Sequence, residues 1–121
     1  MTRAPVSVLN NLVIEALKEL SDPIYQQEVW IEASRPSEMS SLGEATEALF
    51  SDSCLGEALE KNPVTYSPEI DAELRGLQKV LVSFLKNEPV MDIRDMVRTT
   101  QWAAVREKAG KLHSAIVVRI V

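Results

Sequence analysis

The side chains best suited to chemistry in this sequence are a single cysteine, Cys54, and a single histidine, His113. A thiol beside an imidazole can serve as a nucleophile and its base. These two lie far apart in the chain, and the sequence shows no glycine-rich or helix-N-terminal setting that would activate Cys54. In such surroundings Cys54 reads as a small buried hydrophobe. His113 follows Leu112 on a helical stretch and reads as a helix-edge side chain making a local hydrogen bond. One histidine also excludes every site that needs two imidazoles, H-E-x-x-H zinc sites included. No dinucleotide-binding glycine motif, phosphate-binding loop or G-x-S-x-G elbow occurs.

Carboxylates are the remaining candidates. Glu15/Glu19, Glu28/Glu32, Glu44/Glu47 and Glu69/Glu73 each fall on one helix face, a spacing that suits a divalent cation or acid–base work. No further ligand completes any of these sets. The sequence therefore predicts no catalytic residue, no metal site and no cofactor: a protein that is not an enzyme. Glu28 is the most unusual of the acids. In "SDPIYQQEVWIEA", residues 21–33, a regular helix puts Ile24, Tyr25 and Ile31 on one arc with Glu28 inside it. Trp30 then falls on the opposite side. Either the helix stops near Glu28 and the chain runs on extended, or the segment packs on two sides. The second reading is adopted.

Charge is distributed unevenly. Residues 1–60 hold eleven acids against Arg3, Lys18 and Arg35, a net of −8; residues 61–121 hold ten bases against seven acids, a net of +3. Between Pro36 and Glu60 stand Glu38, Glu44, Glu47, Asp52, Glu57 and Glu60 with no base at all. Such a surface repels nucleic acid and attracts a basic partner. The bland alternative is a solvated acidic face. Arg94, Arg98, Arg106, Lys108 and Lys111 could form a basic stripe, but aromatics make up only 5% of the chain and no nucleic-acid-binding motif accompanies them. Direct nucleic-acid binding is not expected.

The elements that must position these residues are helical nearly throughout. Leu9, Leu12, Val13, Ala16, Leu17 and Leu20 follow the i, i+3, i+4, i+7 rule and predict an amphipathic helix over 6–20. "SRPSEMS" reads as a loop, and Ser41-x-x-Glu44 as a capping box opening a helix with Leu42, Ala45, Leu49 and Phe50 inward. Cys54 to Leu59 form a short apolar turn or an extension of that helix. Ser67-Pro68 starts a long helix on Ile70, Leu74, Leu77, Leu81 and Phe84, with Asp71 and Arg75 placed for an i, i+4 pair. Asp92 caps a short helix carrying Ile93, Met96 and Val97. Thr99 or Thr100 caps the last, with Trp102, Val105, Ala109, Leu112 and Ile116 inward. The tail "AIVVRIV" is rich in β-branched residues but continues that period and is read as helix.

At 121 residues, 45% of them hydrophobic, the chain can bury a core without disulfide or metal. Residues 1–121 are expected to form a single all-α domain, a bundle of five or six helices. The opening "MTRAPVSVLNNL" lacks the pattern of a secretory signal, no apolar run is long enough for a membrane span, and one cysteine suits a reducing compartment. The expected location is the cytoplasm, without membrane association.

The order "LSDPIYQQEVW", "EATEALFSDSCLG", "YSPEIDAELRGL…LVSFL" and "TTQWAAVREKAGKLHSAI" resembles a family of small bacterial proteins, mostly uncharacterised, some considered immunity proteins of interbacterial toxin systems. The residues carrying the resemblance are Asp22, Pro23, Tyr25, Gln26 and Trp30, then Leu49, Phe50 and Asp52, then Trp102, Val105 and Ala109. It spans about residues 8 to 116. The "LFSDS" segment is less acidic than its counterpart in the family. The resemblance implies no catalytic residues. It implies a protein that binds and neutralises a cognate toxin domain, with the acidic 36–60 region meeting a basic, nucleic-acid-targeting enzyme and occluding its active site. The alternative is a small helical adaptor without a toxin partner.

Overall fold

The computed structural model describes residues 5–33, 40–87 and 92–120, and among them all regular structure is helical. The first helix, α1 (Asn10–Ser21), buries Val13, Ala16, Leu17 and Leu20, the inward face expected from their spacing. It begins four residues later than the pattern suggests. Val6 is held instead by Asn62, whose side chain accepts from the Val6 N–H at 2.7 Å and donates to the Val6 carbonyl at 2.9 Å. The Leu9 N–H then donates to the Ser53 carbonyl at 2.9 Å. These long-range bonds satisfy backbone groups that a helix would otherwise have used.

Asp22 caps the next element: its Oδ1 accepts from the N–H groups of Ile24 and Tyr25 at 3.0 and 3.1 Å. Pro23 occupies the first turn, where its missing N–H costs nothing. Helix α2 (Pro23–Tyr25) then widens into a π-helical stretch, Gln26–Ile31, closed by the Glu32 N–H donating to the Gln27 carbonyl at 2.9 Å. The wider turn overturns the regular wheel drawn for this segment. Ile24 is 65% exposed, whereas Gln26 and Val29 are buried and Trp30 packs half-buried on Trp102. Tyr25 lines a groove together with Leu12, Ala16 and Glu19 of α1.

Ser41 Oγ accepts from the Glu44 N–H at 3.1 Å, opening α3 (Leu42–Glu47), which also widens into a π-helical stretch, Ala48–Asp52. Ser53 is fully buried; its hydroxyl donates to the Leu49 carbonyl and accepts from the Leu55 N–H. Cys54 then turns left-handed, at φ 68°, and so takes the N-cap position of the next helix, a helix-N-terminal setting the sequence did not suggest, though its side chain makes no capping bond. That reversal makes α4 (Leu55–Lys61) a helix of its own rather than an extension. With it, the described residues hold seven α-helical segments, against the five or six expected. Gly56 lets this corner close: a Cβ there would stand 3.0 Å from the Phe50 carbonyl oxygen.

Ser67 caps α5 (Pro68–Asn87) through the Ile70 N–H at 3.0 Å. Asp92 caps the short α6 (Ile93–Met96). Thr99 Oγ1 accepts from the Trp102 N–H at 3.1 Å and opens α7 (Thr100–Ile120), which stays helical through its β-branched tail. All five positions expected to face inward on α7 are buried. Helix α7 lies mainly along α1 and secondarily along α5, and one core cluster runs from Val13 to Ile116. Each fully buried leucine in it contributes roughly 1.5–3 kcal/mol. Trp102 sits at its centre, edge-on to Phe84 with ring centroids 5.4 Å apart. Among the described residues no helix is long and apolar enough to cross a membrane.

Candidate functional site

The acidic surface is produced by amphipathicity. Helix α3 and its π-helical continuation turn Leu42, Ala45, Leu49 and Phe50 to the core, and α4 turns in Leu55, Ala58 and Leu59. What remains outward is Glu44, Glu47, Asp52, Glu57 and Glu60, all exposed. Glu44 and Glu47 lie one turn apart on α3, and Glu57 and Glu60 one turn apart on α4. Glu57 is bound to Lys61 at 2.8 Å, and that hydrogen bond and charge hold the Lys61 ammonium above its usual range. Glu38 lies outside the described residues.

The other candidates are dispersed. Cys54 borders a shallow cavity of about 350 Å³ with Phe50, Ser51, Glu57 and Gln78, while His113 lies half-buried on α7 and does not line it. Glu28 is half-buried on the π-helical stretch, and Glu32 accepts from Gln27 Nε2 at 3.0 Å. Glu73 pairs with Lys108 at 2.9 Å across α5 and α7. Among the described residues no three His, Cys, Asp or Glu side chains gather in a way that could hold a metal ion. The basic stripe is largely committed internally. Arg106 donates to the Val97 carbonyl at 3.1 Å, Lys108 takes Glu73, and Lys111 takes Glu107 at 3.2 Å. Arg94 and Arg98 stay exposed.

Three polar residues have roles that their spacing did not announce. Gln26, 1% exposed, donates from Nε2 to the Glu19 and Leu20 carbonyls at 3.0 and 2.9 Å and accepts from the Trp102 indole at 2.9 Å. Buried Asp71 does not serve as the i, i+4 partner of Arg75. Its two oxygens accept from the Thr65 and Tyr66 N–H groups at 2.8 and 2.9 Å, and Arg75 donates to the Leu59 carbonyl at 2.8 Å. Tyr66 donates its hydroxyl to Asn10 at 2.6 Å, and its carbonyl accepts from Arg119 at 2.6 Å. Burial, reinforced by the Asp71 charge, pushes the Tyr66 phenol up to about 12. These contacts join the connector before α5 to the start of α1 and the end of α7.

Compared with protein-family models, with curated proteins and with solved structures, the chain matches none.

Proposed function

We propose that this chain is an immunity-type inhibitor: a non-enzymatic, cytoplasmic helical protein that binds a cognate interbacterial toxin domain and occludes its active site. The observation that carries this reading is the exposure of Glu44, Glu47, Asp52, Glu57 and Glu60 on consecutive helices, with Lys61 as the base among them. A toxin that acts on nucleic acid presents a basic groove, and a surface of this sign gains association rate and specificity against it. Buried apolar side chains beneath α3 and α4 give the surface a fixed scaffold, so little ordering is needed on binding. The resemblance carried by Asp22, Pro23, Tyr25, Gln26 and Trp30 points the same way. Co-purification of the tagged chain with the product of the adjacent upstream gene tests the proposal. A stoichiometric complex supports it; an upstream product that neither binds nor is toxic defeats it.

A further inference from the structure

Helices α5 and α7 run antiparallel, side by side, over most of their lengths. The Arg119 guanidinium meets the Tyr66 carbonyl just before α5, Glu73 pairs with Lys108 midway, and Phe84 stands edge-on to Trp102 at the far end. Outside this seam lies a groove of about 530 Å³ floored by Ile70, Leu112 and Ala115. Its walls carry opposite signs. Glu69 and Glu73 stand on the α5 side; Lys108 and Lys111 stand on the α7 side, the latter bound to Glu107. Helical spacing continues the α5 wall through Gly76 to Val80, which is 41% exposed, and the α7 wall back to exposed Ala104. Little stands above the backbone at Gly76: beyond its own helix, a Cβ there would meet only Lys108 Nζ, at 3.9 Å. The face is thus apolar at both ends and charged in the middle, with acid on one helix and base on the other.

We propose that this face pairs with a second copy of the chain, as a two-fold dimer whose axis runs parallel to α5 and α7. The occupant follows from charge complementarity. The walls neutralise each other within one molecule, so the groove exerts little pull on a partner of a single sign. A second copy turned about an axis along the groove lays its α7 wall over the α5 wall of the first and keeps every level in register. Each Glu73 then faces Lys108 of the other copy, each Val80 faces Ala104, and the apolar floors meet. A turn about an axis across the groove would stack Glu73 on Glu73 and Lys108 on Lys108, and like-charge repulsion disfavours it. The favoured arrangement is an antiparallel four-helix packing. Two helices each about 10 Å wide, paired over about 25 Å, present about 500 Å² per copy. The total of roughly 1,000 Å² stands at the lower edge of specific interfaces, so the dimer should be reversible, with a Kd of about 10–100 μM. None of Glu44, Glu47, Asp52, Glu57 and Glu60 lines the groove, so the pairing does not rest on the inhibitor reading.

Sedimentation equilibrium of the full chain from about 1 to about 500 μM should show a reversible monomer–dimer equilibrium. Ala104→Gln places bulk in the seam and should weaken self-association about tenfold or more. Glu73→Lys and Lys108→Glu should each weaken it by a similar factor, because each sets like charges on one another at the middle level. Mixing those two variants should restore the dimer, since every wall of one then meets the opposite sign on the other. Loss of an internal ion pair alone would not produce that rescue. Glu44→Gln with Glu47→Gln should dimerise within about twofold of the wild type, because those carboxylates lie outside the face. All these positions are exposed or half-buried, and an unchanged melting temperature at low concentration confirms that each variant folds. A chain that stays monomeric to about 500 μM overturns the proposal. So do open-ended oligomers, a dimer indifferent to Ala104→Gln, or charge variants that fail to associate when mixed. If the chain stays monomeric alone but binds a different helical protein through this face, the self-pairing falls and the face belongs to that protein.

Discussion

The Gln26 amide oxygen accepts the indole N–H of Trp102 at 2.9 Å, deep between the π-helical stretch and α7. The same amide donates to the Glu19 and Leu20 carbonyls, so one side chain ties three elements: the end of α1, the Gln26–Ile31 stretch and the largest core residue. Burial makes this arrangement costly to break, because each abandoned partner keeps its desolvation penalty without a bond.

Gln26→Leu keeps the volume but leaves the Trp102 indole N–H and the Leu20 carbonyl unmet, while the Glu19 carbonyl still accepts from the Asp22 N–H at 3.3 Å. The expected loss is about 2–4 kcal/mol, read by urea denaturation with Trp fluorescence. A loss under about 0.5 kcal/mol, typical of surface changes, would show that the network contributes little.

Asp71→Ala removes the acceptor for two part-buried N–H groups at the entrance to α5. We expect a loss of about 2 kcal/mol, and Asp71→Asn should recover part of it because one amide oxygen remains. Arg75→Ala should cost less, since it removes one part-buried bond, to the Leu59 carbonyl, where Asp71→Ala removes two. Equal losses for Asp71→Ala and Arg75→Ala would instead indicate a coupled pair.

Tyr66 gives a pH signature. An unfolded tyrosine ionises near 10, and the folded one near 12. The folded state therefore holds its proton more tightly, and this contribution is intact below pH 10 and lost as pH rises from 10 towards 12. Solvent screening of a half-buried ring reduces the full value to about 1 kcal/mol. The difference in stability between the wild type and Tyr66→Phe should shrink by about that amount across the window. A difference independent of pH would contradict the assignment.

Cys54 adopts φ 68°, which costs a residue bearing a Cβ about 1–2 kcal/mol and glycine none. Cys54→Gly should be neutral or stabilising by up to about 1 kcal/mol, after the entropy of glycine in the unfolded chain is counted. Cys54→Val should be clearly destabilising. Thermal melts of the two variants separate these outcomes, and full neutralisation of the toxic activity by Cys54→Gly would dispose of a thiol mechanism.

Much of this fold was legible from periodicity alone. On α7 the spacing of Trp102, Val105, Ala109, Leu112 and Ile116 specified a face that is buried at every position. Capping chemistry at Asp22, Ser41, Ser67, Asp92 and Thr99 marked the helix starts, because these contacts span only two or three residues. What escaped was either non-local or off-period. The Val6–Asn62 and Gln26–Trp102 bonds join residues that no local pattern relates. The π-helical stretch Gln26–Ile31 breaks the 3.6-residue template that put Ile24, Tyr25 and Ile31 on one arc. The acidic surface was legible because an amphipathic helix must turn its carboxylates outward.

Charge reversal at Glu44, Glu47 and Asp52 should slow association with a basic toxin domain most at low salt, with dissociation little changed. Stopped-flow or surface-binding kinetics at two ionic strengths would report it. An unaltered on-rate would move the interface away from α3.

The most direct measurement titrates the purified chain against the toxic activity of the adjacent gene's product. Inhibition should saturate at a fixed stoichiometry and weaken as salt rises. Toxic activity that persists with the chain in excess would contradict it.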